Sequence, residues 1–210
     1  RPHMDNTKEY CNLGKLVMNY FIEYINNENQ KNYKKNFASY KDATLFKPIK
    51  PTQTELAKTL EMYGNNERLL KNNLSNYLRG LQPFPKELIL QIANKLELNG
   101  SQFIELAKEY AFNHNLIEKE YHIESKNWFS RYNYEANNEY LQKQAKENIK
   151  SYFTNCITYY LIVEYLNSFC MDLLLSNYEI KNAVFSAGSK DHLQKLANLI
   201  FGEEEKKEEI

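Results

Sequence analysis

The chain has 210 residues, enough for one large domain or two small ones. Hydrophobic residues make up 42%, the mean hydropathy is −0.70, and six glycines and five prolines are too few for a turn-rich sheet protein. The 27 basic and 27 acidic side chains cancel, so the usual sign of a uniformly basic domain is absent.

Charge is nevertheless uneven. Lys31, Lys34, Lys35, Lys41, Lys47 and Lys50 face only Asp42 between Gln30 and Lys50, whereas Glu203 to Glu209 forms an acidic tail (203–210). Cys11, Cys156 and Cys170 show no CxxC spacing, so neither a disulfide framework nor a metal site is expected, and a reducing, cytoplasmic compartment fits. Arg1-Pro2-His3 ahead of Met4 reads as a cloning remnant. The most apolar stretch, Ile157 to Leu175, includes Glu164, Asn167 and Asp172. That is too polar for a membrane span and reads as a buried helix.

Along the chain, Leu13 to Asn26 predicts a first helix, with Leu16, Tyr20, Ile22 and Ile25 on its apolar side. A long basic, aromatic loop over 28–50 follows, closed by Pro48 and Pro51. Thr52-Gln53-Thr54-Glu55 is a capping box; Leu56, Leu60 and Tyr63 then recur at helical spacing until Gly64, a natural stop. Asn66 to Arg79 predicts a third helix whose inward face is Leu70, Leu74 and Tyr77. Pro85 opens a fourth, with Leu88, Ile89, Ile92, Ala93 and Leu96 inward. Ser101 is expected to cap a fifth, packed through Phe103, Leu106, Ala107 and Tyr110. His122 to Tyr140, with Trp128, reads as core or dimer interface. Leu141, Ala145, Ile149, Tyr152, Cys156, Tyr160 and Val163 then mark one stripe of a long helix, and Lys190 to Phe201 predicts the last.

Thr52-Gln53-Thr54-Glu55-Leu56-Ala57-Lys58-Thr59-Leu60 resembles the second helix of the lambda-repressor-like (Cro-type, or XRE) helix-turn-helix domains. Lys71-Asn72-Asn73-Leu74-Ser75-Asn76-Tyr77-Leu78-Arg79-Gly80 resembles their recognition helix, and Pro85 to Leu98 their fourth. The resemblance covers residues 52–110. It departs from the family in the connection from Glu61 to Leu70 and in the loop after the first helix, both longer than usual.

The resemblance implies an all-α protein: a DNA-binding domain over 4–112, then a helical dimerisation or effector domain over 113–202. The implied function is a phage- or plasmid-type transcriptional regulator, a repressor acting as a homodimer on an inverted-repeat, AT-rich operator in double-stranded DNA. Lys71, Asn72, Asn73, Asn76 and Arg68 are the expected base readers, since asparagine matches the adenine edge and lysine or arginine the guanine edge. Gln53, Thr52, Ser75, Arg79, Lys31, Lys34, Lys35 and Lys41 are the expected phosphate contacts. The same fold also serves protein-binding inhibitors and antirepressors, and the zero net charge and acidic tail suit that alternative. His114, His122 and His192 show no ligand spacing, and no phosphate loop, nucleophile elbow or spaced carboxylate pair stands out. No catalysis, cofactor, metal or membrane partner is expected, and no effector is specified.

Overall fold

The structure, a computed structural model, describes residues 9–36, 46–62, 67–114, 139–172, 177, 180 and 190–205. Among these every regular element is a helix: α1 (Asn12–Asn36), α2 (Gln53–Thr59), α3 (Glu67–Leu78), α4 (Lys86–Lys95), α5 (Gly100–Asn113), α6 (Glu139–Phe169) and α7 (Lys190–Phe201). None is long and apolar enough to cross a membrane. The aromatic stretch around Trp128 and the tail from Lys206 lie outside the described residues.

The chain divides into two units, Arg1–Leu98 and Asn99–Ile210. The boundary therefore precedes α5, which the expected division at residue 112 assigns to the first domain. In the second unit α5 packs against α6 and α7.

In the first unit α1 runs ten residues past the expected end at Asn26, because nothing between Asn27 and Asn36 is a glycine or proline that would break it. Lys31, Lys34 and Lys35 consequently lie on a helix instead of in a loop. The apolar side of α1 also differs from expectation: Leu13, Val17, Met18, Tyr20, Phe21 and Ile25 are buried, while Leu16 is half-buried and Ile22 is 36% exposed. Leu13, Val17 and Phe21 follow one another at four-residue steps, and that line is the one that meets the core.

Thr52 caps α2, accepting from the Glu55 N–H at 3.2 Å. Only half of the expected capping box forms. The Thr52 N–H donates to the Lys50 carbonyl at 2.9 Å, and the Glu55 carboxylate pairs with Lys58 at 3.3 Å. The helix stops at Leu60, ahead of Gly64, because Glu61 takes the left-handed conformation at φ 52°. The Met62 N–H then donates to the Ala57 carbonyl and the Glu61 N–H to that of Lys58, a Schellman closure on a non-glycine residue. Two α4 side chains secure this end: Gln91 donates to the Leu60 carbonyl and Lys95 pairs with Glu61 at 2.9 Å.

The fourth helix matches expectation, with Leu88, Ile89, Ile92, Ala93 and Leu96 buried and Leu90 joining them. Pro85 is its N-cap, one residue before its first turn.

The second unit is built on close backbone contact and aromatic packing. Asn99, not Ser101, caps α5, in a reciprocal capping box with Gln102. The Gly100 N–H donates to the Gly202 carbonyl at 2.9 Å just beyond α7, and a β-carbon at Gly100 would fall 2.7 Å from the Asn198 nitrogen. Phe103 stacks on Phe201 with centroids 4.2 Å apart, and Tyr165 of α6 closes the cluster at 4.5 Å from Phe201. Such rings contribute about 0.5–1.5 kcal/mol per pair beyond their area.

Burial, with a smaller contribution from Cys170, pushes the Tyr165 phenol up to about 12 from its ordinary 10.0. A phenol raised in the folded state contributes stability fully present below pH 10 and lost as pH climbs towards about 12. The melting temperature should therefore fall across that alkaline window, and Tyr165→Phe should flatten the fall. Identical pH profiles for the two proteins, followed by circular dichroism, would exclude this role for Tyr165.

Candidate nucleic-acid interface

α3 is held along one line and at one end. Leu74 and Leu78 are fully buried, and the helix packs against α1 and α2. Leu78 replaces Tyr77 on the expected inward face: Tyr77 is half-buried and tilts against Phe84 with ring centroids 5.5 Å apart. The end of the helix is a Schellman motif on Gly80 at φ 74°, with Gly80 donating to the Tyr77 carbonyl and Leu81 to that of Asn76. The remaining Leu78 carbonyl accepts the Cys11 N–H at 3.0 Å, so the start of α1 is bolted to the end of α3.

That bolt requires Gly14. A β-carbon there would lie 2.7 Å from the Leu78 carbonyl carbon and 2.9 Å from its α-carbon, nearer still to its oxygen. The Cys11 thiol fills the same corner, accepting from the Gly14 N–H at 3.4 Å and donating towards the Tyr77 carbonyl at 3.9 Å. The sequence displays the glycine but carries no sign of what approaches it.

At 100° per residue, Asn72 and Asn76 lie about 120–160° round the helix from Leu74 and Leu78, Arg68 lies on the flank about 80° from Leu78, and Arg79 follows just past the helix end. Lys71 precedes Leu74 by three and Leu78 by seven residues, so it shares the register of the buried line instead. Asn73, Ser75 and Asn76 are half-buried; the side chains of Arg68, Lys71 and Asn72 lie outside the described residues. Arg79 is exposed beyond the helix end, its Nε 3.4 Å from a Glu9 carboxylate oxygen.

The expected phosphate contacts are dispersed in their engagements. Thr52 is exposed, but Gln53 is half-buried and its amide donates to the Tyr10 hydroxyl. Lys31 pairs with Glu28 at 3.2 Å and Glu97 at 3.9 Å, while Lys34 is exposed. The Lys35 side chain and the whole of Lys41 lie outside the described residues.

Sequence reasoning misses how the 46–50 segment is fixed. The Asn29 amide brackets the Ile49 backbone, donating to its carbonyl and accepting its N–H, both at 2.9 Å. Phe46 meets Tyr33 edge to face at 5.6 Å, and Asn29, Gln30, Tyr33, Lys34 and Phe46 line a shallow open cleft. Lys47 and Lys50 are exposed on this segment. The one sequence signal for it is the co-occurrence of aromatic and basic residues in a single stretch.

Among the described residues no group of three or more histidines, cysteines, aspartates and glutamates is placed to hold a metal ion. Compared with known proteins, the chain matches no family model, no curated protein and no solved structure.

Proposed function

We propose that this chain is a sequence-specific double-stranded-DNA-binding regulator of the repressor type, acting as a dimer, with α3 as its reading helix. The observation that carries the reading is the register of Asn72 and Asn76 opposite a fully buried Leu74–Leu78 line, flanked by Arg68 and followed by Arg79, on a helix whose end is fixed. A reading helix needs that division: one side held by packing, the other offering donors and acceptors to base edges. An asparagine-rich register suits adenine, hence an AT-rich operator. The Lys31–Lys34–Lys35 turn of α1 and the neighbouring Lys47 and Lys50 supply backbone contacts.

A second reading, a helical module that binds a protein partner, is favoured by one specific observation. The Gln53 amide and Lys31, both expected on phosphate, are already engaged by Tyr10 and by Glu28 and Glu97.

Gel shifts with AT-rich duplex at about 50 and 200 mM salt separate the two readings. DNA binding should weaken steeply with salt. Replacing Lys31, Lys34, Lys35 and Lys41 together by alanine should weaken binding to every duplex alike. The log–log salt slope should flatten by about 0.9 for each phosphate no longer neutralised. Absence of any shift at the lower salt would leave the protein-binding reading standing. An unchanged slope in the quadruple variant would remove these lysines from the phosphate contacts.

A further inference from the structure

Helix α6 carries two apolar lines. Thr158, Leu161, Ile162, Tyr165 and Leu166 are buried within the second unit, and the Thr158 hydroxyl is satisfied by the Thr154 carbonyl at 2.8 Å. The other line looks outward. Tyr152 is 64% and Tyr160 51% exposed, and Cys156 between them is exposed. Of the stripe expected from the sequence, Tyr152, Cys156 and Tyr160 form this outer line and Val163 is half-buried, while the side chains of Leu141, Ala145 and Ile149 lie outside the described residues.

The outer line is arranged symmetrically about Cys156. Tyr152 stands four residues before it and Tyr160 four after. Lys150, six before, and Glu164, eight after, lie on the same flank of the stripe, about 120° and 80° round the helix from Cys156. Both are half-buried.

We propose that two copies of this chain pair through the outer line of α6, antiparallel, about a two-fold axis passing beside Cys156. A two-fold that reverses the helix direction keeps each flank on its own side. It sets Tyr152 against Tyr160 of the second copy and Cys156 against Cys156. It also brings Lys150 of one copy to within roughly 3 Å, along the axis, of the level of Glu164 of the other. Four such tyrosines and two such opposite-charge pairs then recur by symmetry. A parallel pair would leave Lys150 and Glu164 roughly 21 Å apart along the axis, so the charges select the antiparallel arrangement. This deepens the dimeric part of the function proposed above, and it stands whether or not α3 reads DNA.

The full chain, without DNA, provides the test. Sedimentation should give a dimer at tens of micromolar. A mild thiol oxidant should lock it into a covalent dimer whose peptide map shows Cys156 joined to Cys156, and Cys156→Ser should abolish that link. Tyr152→Glu with Tyr160→Glu should weaken the dimer at least about tenfold while the far-ultraviolet dichroism is unchanged. Lys150→Glu should weaken it as well, and adding Glu164→Lys should restore it. If the tyrosine variant loses helical signal, the charge reversal decides. A monomer at tens of micromolar, a link through Cys11 or Cys170, or a charge reversal without recovery would each overturn the proposal. A dimer that shifts no DNA would leave it intact and remove only the DNA reading.

Discussion

Gly14→Ala will cost the first unit a large share of its stability. Alanine is the better helix former, so in an open position the change would gain about 0.5–1 kcal/mol. Here the new methyl group would meet the Leu78 backbone, 2.7 Å from its carbonyl carbon and 2.9 Å from its α-carbon. No rotamer change relieves a clash with backbone, and the Leu78 carbonyl is fixed by the Cys11 N–H at 3.0 Å. α1 and α3 must therefore separate, which breaks that hydrogen bond and opens space beside the fully buried Leu13 and Leu78. Overpacking of this kind costs about 1–3 kcal/mol or more, and the poorer packing and unpaired carbonyl add about 1–3 kcal/mol. Against a typical total of about 5–15 kcal/mol, the sum exceeds the helix-propensity gain several-fold. Denaturant unfolding followed by circular dichroism should show an early transition in Gly14→Ala, with Lys15→Ala, one residue on and exposed, close to the parent. A midpoint for Gly14→Ala equal to that of the Lys15 variant would mean that α1 and α3 do not meet as closely as described.

The parts of the fold that periodicity can reach are legible in the sequence. The inward set of α4 and that of α5 recur at three and four residues with polar positions between them, so a single side qualifies as core. In α6 periodicity identifies a helix, but Tyr152, Cys156 and Tyr160 of the expected stripe are exposed. From Ile157 to Val163 nearly every residue is apolar or aromatic, and Thr158, the polar member, is buried because its hydroxyl bonds back to its own helix. The ends of elements are harder. Glu61 and Glu97 occupy left-handed positions that sequence rules assign to glycine, and tertiary partners, Lys95 for one and Lys31 for the other, stand beside them. At the candidate interface, sequence supplies the candidate reading helix and its asparagines. It cannot supply the Gly14–Leu78 approach or the Asn29–Ile49 bracket, because both depend on residues far apart in the chain.

Replacing Asn72 and Asn76 together by alanine should abolish sequence selection while leaving the protein folded. Asn72 and Asn76 occupy positions about 120–160° round α3 from Leu74 and Leu78, off the buried line. Asn76 is half-buried, yet its backbone carbonyl, which receives Leu81 and Gln82, is the group that closes the helix, and alanine retains it. The stability change should stay below about 1 kcal/mol. Each bidentate asparagine–adenine contact discriminates by about 1–3 kcal/mol, so the pair should lower specific affinity by roughly thirtyfold or more while non-specific binding persists. Arg79→Ala makes the contrast. Its exposed ion pair with Glu9 contributes at most about 1 kcal/mol to stability. As a phosphate contact it should weaken all duplexes evenly and reduce the salt slope by about 0.9. Competition binding of the parent and both variants, on a selected operator and a scrambled duplex at two salt concentrations, separates these signatures. Should the asparagine variant keep the parent's preference for the operator, α3 does not read bases. The polar register would then belong to a protein contact, which the same substitutions should weaken.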